Sequence, residues 1–158
     1  MAHASATIEV IARGVIIEHR HVLLCRHAKK RYCYLPGGHV EFGESAPTAL
    51  ARELIEEAGV KIRIGACLLA EEHSFMQGKT RRHELNLIFE ASRVPRPRAS
   101  GDPAHIASHE EGIEFVWWPL RELAVCPLVP PSHLDWLKQS VGSTRQTKRL
   151  EFCSEMHA

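Results

Sequence analysis

What this chain lacks narrows its class before any motif is read. Its five cysteines, Cys25, Cys33, Cys67, Cys126 and Cys153, are odd in number, scattered and free of any CxxC pair. That spacing suits neither a zinc site nor a disulfide frame, and it reads as reduced thiols in a cytoplasmic protein. Long apolar runs are missing as well. The stretch from Met1 to Arg20 is interrupted by Glu9 and Arg13, so neither a signal core nor a membrane span can be drawn. Neither sign of charge is in excess: the net charge is +1, which gives no electrostatic case for wholesale binding to nucleic acid or a membrane surface. Repeats and low-complexity runs are absent. The one linker-like segment, Val94 to Pro103, carries Pro95, Pro97, Gly101 and Pro103, and is expected to be a long loop within a domain.

What remains is ordinary globular composition, 44% hydrophobic and 25% charged over 158 residues, enough for one domain with a real core. The domain is expected to span 1–158. Beyond Val141 the chain is polar and basic until Phe152, a tail expected to be flexible or to dock on a partner. Ile8 to Ile17 and Val22 to Cys25 are rich in β-branched residues on either side of a polar break, which predicts two strands and a tight turn. Lys61 to Leu69 and Arg82 to Ala91 read as further strands, with His73 to Arg82 between them as a loop. A late amphipathic helix over Pro131 to Gln139 completes an α+β pattern.

The chain is organised around Gly38 to Val60. Ser45 is suited to cap a helix, Pro47 falls in its first turn, and Gly59 is a natural left-handed stop, so a helix is predicted from Ala46 to Ala58. Leu50, Leu54, Ala58, Ala51 and Ile55 are expected on its buried face, with Glu53, Glu56 and Glu57 on the opposite one. Three carboxylates at such spacing repel one another by roughly 0.2–0.5 kcal/mol per pair. Arg52, four residues before Glu56, offsets part of this, and a divalent cation would offset the rest. Hard carboxylate oxygens suit Mg2+, with Mn2+ as a substitute, better than zinc. A merely solvated acidic face is the plainer alternative.

The wider spacing weighs against that alternative. Gly38, Glu44, Arg52, Glu53, Glu56, Glu57 and Gly59, with Leu54 and Val60 at the apolar positions, fit G-x5-E-x7-R-E-U-x-E-E-x-G-U without departure. Seven such identities would coincide by chance in about one protein per million at ordinary residue frequencies. The stretch resembles the Nudix hydrolase signature. The resemblance implies an α/β/α sandwich with a mixed β-sheet, and a metal-dependent enzyme that hydrolyses a phosphoanhydride bond in a nucleoside diphosphate linked to another moiety. It assigns Glu53, Glu56 and Glu57 to the metals, the backbone carbonyl of Gly37 as a further ligand, and a supporting role to Glu44. Arg52 would orient a carboxylate. A loop acid six residues before Trp117, Glu111 first and Glu110 second, would be a further ligand or the general base.

Substrate contacts are less constrained. Arg26 at a strand end either holds a phosphate or is a surface arginine, and Phe75 with Arg81 either forms a lip over the substrate or belongs to a solvated connection. The chain lacks the proline that ADP-ribose hydrolases of this family often carry about sixteen residues past the box; Phe75 and Met76 stand there. A MutT-type (d)NTP pyrophosphohydrolase is therefore the first reading, and ADP-ribose or a nucleoside diphosphate sugar the second. The contrasting class is a Nudix module that senses a nucleotide without cleaving it; such modules often lose one of the glutamates that this chain keeps. Many chains of this kind are homodimers, but no interface stripe stands out.

Overall fold

The computed structural model describes residues 7–98 and 100–142. The tail beyond Val141, and with it Cys153, lies almost wholly outside the described residues.

Strand β1 (Glu9–Glu18) is the hub. Its first eight residues pair in parallel with β6 (Thr80–Arg93), its middle pairs antiparallel with β4 (Gly37–His39), and its last two residues pair with β2 (His21–His27). Outward from there, β5 (Ile62–Gln77) lies beside β6, while β2 is flanked by β3 (Cys33–Tyr34) and β7 (Ile113–Pro119). The result is one mixed seven-stranded sheet. The β1–β2 turn is two residues long, with His19 and Arg20 both at positive φ, as a tight hairpin matching the strand twist requires.

Strand alternation splits the core into two layers. Ala12, Ile16, Leu23, Cys25, Phe89 and Phe115 face helix α1 (Ala46–Ala58), whose Ala46, Ala49, Leu50 and Leu54 are buried against them. Val15, Val22, Leu24 and Ile88 face the other way, onto a 3-10 helix (Leu120–Val125) and α2 (Pro131–Gly142), where Leu123 and Leu137 are buried. Each fully buried leucine stabilises the fold by about 1.5–3 kcal/mol. This is the expected α/β/α sandwich. His133 of α2 is buried with its Nε2 2.7 Å from a Glu71 carboxylate oxygen on β5, so a polar contact as well as the apolar layer joins α2 to the sheet.

Two expectations are corrected. His73 to Arg82 is not a loop: β5 and β6 stay paired through Gln77 and Thr80, and only Gly78-Lys79 turns, with Gly78 at φ 62. The polar sequence hid a two-stranded overhang whose backbone pairing needs no apolar face. The second correction concerns α1. Ile55 is 48% exposed, whereas Glu53 keeps only 16% of its side-chain surface. Positions 46, 50, 53 and 57 recur at helical spacing, so Glu53 and Glu57 share the inward side with Ala46 and Leu50. A reading from the apolar residues alone had rotated the helix away from its glutamates.

Candidate active site

Local backbone rules set the segment that carries the acidic signature. Ser45 Oγ accepts the Thr48 N–H at 3.3 Å, Pro47 lies in the first turn, and Gly59 at φ 64 returns its N–H to the Ile55 carbonyl at 2.8 Å. The helix is thereby fixed at both ends. Ahead of it, two glycines let the loop press onto the core. A side chain on Gly37 would lie 2.0 Å from the Ala12 carbonyl oxygen, and one on Gly38 would lie 2.4 Å from the carboxyl carbon of Glu53. The absent Cβ of Gly38 is the seat of Glu53.

Arg52 gathers the acids. Its Nη2 and Nε donate to the two oxygens of Glu44 at 2.6 and 3.2 Å, and Nη1 donates to Glu53 at 3.0 Å and Glu56 at 3.1 Å. Nη2 also reaches the His39 carbonyl at 3.0 Å. The Glu44 carboxyl is held below its usual range, chiefly by that guanidinium. Arg52 is held still more firmly in its charged form, by Glu44 first and then by Glu53. The expected Arg52–Glu56 contact is present, but it is one arm of a four-way clamp.

Glu57 lies outside the clamp. Burial, then the charges of Glu53, Glu110 and Glu56, push its carboxyl up to about 7, while Arg13 draws it down. Arg13, which sequence reasoning missed, donates from Nη1 to the Leu35 and Gly37 carbonyls, both at 3.1 Å, and lies 5.3 Å from the Tyr34 ring centre. A lone arginine inside a hydrophobic strand was the signal that could have found it. The Tyr34 hydroxyl, raised by burial and by nearby Cys25, Glu110 and Glu57, completes the surroundings.

The loop acid is delivered by His109. Its backbone N–H donates to the Glu57 carbonyl at 2.7 Å, and its Nδ1 lies 3.0 Å from the Glu56 carbonyl oxygen, which docks the 108–112 loop on the end of α1. Both loop acids are exposed, and Glu110 is the one whose charge acts on Glu57. Arg26 is brought elsewhere. Its Nε and Nη2 bond Glu114 at 2.8 and 2.7 Å across the β2–β7 pair, which favours the surface ion pair over a phosphate contact. Phe75 and Arg81 lie on the β5–β6 overhang, Phe75 stacked on His73 at 5.2 Å and Arg81 bonded to Ser74 Oγ at 3.2 Å. Glu9 links that overhang to the loop before α1, since it accepts from Arg82 and lies 3.1 Å from His39 Nε2.

A family profile described as the NUDIX domain matches residues 9–139. The chain belongs to the NUDIX family. It is accordingly an enzyme of the pyrophosphohydrolase class, in a family that generally uses divalent metal ions. Solved Nudix structures have the same fold. A MutT protein from Methanosarcina mazei Go1 superposes with a TM-score of 0.66 at 19% identity, covering 91% of this chain and 100% of that one. A MutT NUDIX hydrolase from Burkholderia pseudomallei gives 0.63 at 20% identity, over 84% and 98%. A UDP-X diphosphatase gives 0.61 at 20%, over 92% and 68%. At these identities the likeness carries the fold alone. No helix among the described residues is long and apolar enough to cross a membrane.

The site fits a divalent cation by donor chemistry rather than by a finished cage. Among the described residues, no three acidic, histidine or cysteine side chains already converge as metal ligands. Arg52 occupies one oxygen each of Glu53 and Glu56, and Glu57 is raised by burial and then by its negative neighbours. Crowded carboxylates without soft donors suit a hard cation.

Proposed function

We propose that this Nudix chain is a metal-dependent (d)NTP pyrophosphohydrolase of MutT type, which adds water across the α–β anhydride to give a nucleoside monophosphate and pyrophosphate. The observation that carries the metal-dependent part is Glu57: a partly buried carboxyl raised to about 7, with burial and three neighbouring carboxylates pushing it up. Such a concentration of negative charge opposes a phosphate ligand unless cations intervene. When bound, Mg2+, or Mn2+ in its place, screens the phosphates and lowers the pKa of the attacking water.

The protein's part is positioning. Glu53, Glu56 and Glu57 with the Gly37 carbonyl hold the metal, and Arg13 fixes the direction of that carbonyl. Arg52 keeps Glu53 and Glu56 within reach of one another while Glu44 anchors the guanidinium. Glu110 takes the part that the sequence assigned first to Glu111, as a further ligand or the base that accepts the water proton. Phe75 and Arg81 on the overhang contact the substrate.

A second substrate reading stays in view because one fold neighbour is named a UDP-X diphosphatase: a nucleoside diphosphate sugar, cleaved to a monophosphate and a sugar phosphate. The deciding experiment is product analysis on a panel of nucleoside triphosphates, ADP-ribose and nucleotide sugars, in Mg2+ and then Mn2+, with Glu57→Gln alongside. Pyrophosphate from triphosphates, lost in the variant, is the expected result. Sugar phosphate release would move the assignment to the second substrate. No turnover of any member by folded, metal-loaded protein would turn it to a nucleotide sensor.

A further inference from the structure

A groove of about 650 Å3 lies at the C-terminal end of α1, between Gly59 and the segment that follows β6. That volume is within the range of small-molecule sites. Its charge is opposite to that of the active site. Lys61, Arg96 and Arg98 line it together with Asp102, and among the described residues these three cations make no ion pair. Arg93 also lines it but is committed: Nε and Nη2 both bond the Glu18 carboxylate, and its guanidinium lies 5.5 Å from the Trp117 ring centre.

The wall is held at both ends. The Val94 N–H donates to the Lys61 carbonyl at 2.8 Å, and Trp117 Nε1 donates to the Ala104 carbonyl at 2.9 Å, just before buried Ile106. Three cations around one concavity repel each other, and an entering polyanion relieves that repulsion. Arginine forks suit phosphate oxygens, while Val60 and Pro95 offer an apolar surface for a flat or aliphatic body. The negative end of the α1 dipole opposes an anion here. Several carbonyls of its last turns already accept N–H groups, however: Leu54 from Val60, Ile55 from Gly59 and Glu57 from His109. Glu44, Glu53, Glu56 and Glu57 do not line the groove, and His109 lies against Gly59 between the two regions.

We propose that this groove is a second, non-catalytic site for a polyphosphorylated small molecule, with its phosphates on Lys61, Arg96 and Arg98. The inference rests on the groove and not on the choice of hydrolysed nucleotide. Inorganic tripolyphosphate would be titrated calorimetrically into the full-length chain in magnesium buffer, and into Lys61→Ala/Arg96→Ala/Arg98→Ala. The wild type should bind one equivalent that the triple variant binds at least tenfold more weakly, whether or not the active site also takes up the probe. Turnover of whichever nucleotide the wild type cleaves should stay within twofold. Superimposable isotherms would overturn the proposal. So would a tenfold rise in KM at unchanged kcat, which would make the groove part of the substrate site. A single-stranded oligonucleotide that displaces tripolyphosphate at hundredfold lower concentration would overturn the small-molecule class. Should the triple variant fail a circular dichroism check, Arg96→Ala and Arg98→Ala singly, both at exposed loop positions, carry the same comparison.

Discussion

At the scale of single residues, the proposed function makes Glu57 the residue that couples fold to chemistry. Replacing it by glutamine keeps size and some hydrogen bonding but removes the charge. We expect kcat to fall by about 100-fold or more with the fold intact, which steady-state kinetics and circular dichroism would check. The same residue sets a pH dependence whose sign is fixed. Its folded carboxyl sits at about 7 against 4.5 for an ordinary one. Between those values the folded state holds a proton that the unfolded state releases, so rising pH destabilises the metal-free chain through this window. Urea midpoints at pH 5 and pH 8 should therefore fall with pH in the wild type and differ less in Glu57→Gln; equal slopes in both would remove Glu57 as the cause. Gly38 makes a steric counterpart. Gly38→Ala places a methyl 2.4 Å from the Glu53 carboxyl carbon, so Glu53 must leave its seat and turnover should drop with only modest loss of stability. Much of this was legible: the glycines, Arg52 and the three helix glutamates are identities at fixed spacing. Arg13 was not, because its partners are backbone carbonyls that carry no sequence signal, and the choice between Glu110 and Glu111 depends on how His109 docks the loop.

Elements show where legibility begins and ends. Helix α1 was readable to the residue because Ser45, Pro47 and Gly59 each act on the backbone within a few positions. Strands β3 and β4 were not, since two and three residues are too few for alternation to register. They exist because β2 and β1 supply ladder partners. The β5–β6 overhang failed for a related reason: its pairing continues where apolar alternation has stopped. The orientation of α1 was missed because burial of Glu53 and Glu57 runs against residue hydropathy, as expected where function overrides packing. Two predictions belong here. Ser45→Ala should cost about 1 kcal/mol and lower Tm by about 2–4 °C by removing the cap. If the overhang contacts substrate, Phe75→Ala should raise KM several-fold while leaving kcat near that of the wild type; unchanged kinetics on every cleaved substrate would place Phe75 on a solvated tip.

At the scale of the whole molecule, a net charge of +1 conceals a strong segregation. Acids gather from Glu44 to Glu57 on α1 and its preceding loop, with Glu110 beside them, and cations gather beyond the end of the same helix. Composition averages the two, so only the fold reveals them. Glu57 is destabilising in its charged form, since a carboxylate that would be solvated in the unfolded chain is partly buried beside other carboxylates in the folded one. A cation that binds the folded state alone must then stabilise it by linkage, about 2.7 kcal/mol at a hundredfold excess over Kd. For a chain of this length that corresponds to a rise of about 5–11 °C in Tm. We expect Mg2+ titrated into the wild-type protein at pH 8 to raise Tm on that scale, and Glu53→Gln or Glu57→Gln to remove most of the rise. At pH 5 the rise should shrink in the wild type too, because Glu57 is then protonated and competes with the metal for the same oxygens. The control is a variant of the basic groove, in which the metal-dependent rise should persist: the proposed ligands lie on the acidic face of the helix, and loss of Lys61 or Arg98 leaves those carboxylates in place. A Tm that ignores Mg2+ at both pH values would mean that the metal arrives only with the substrate's phosphates, and the helix glutamates would then hold half a site.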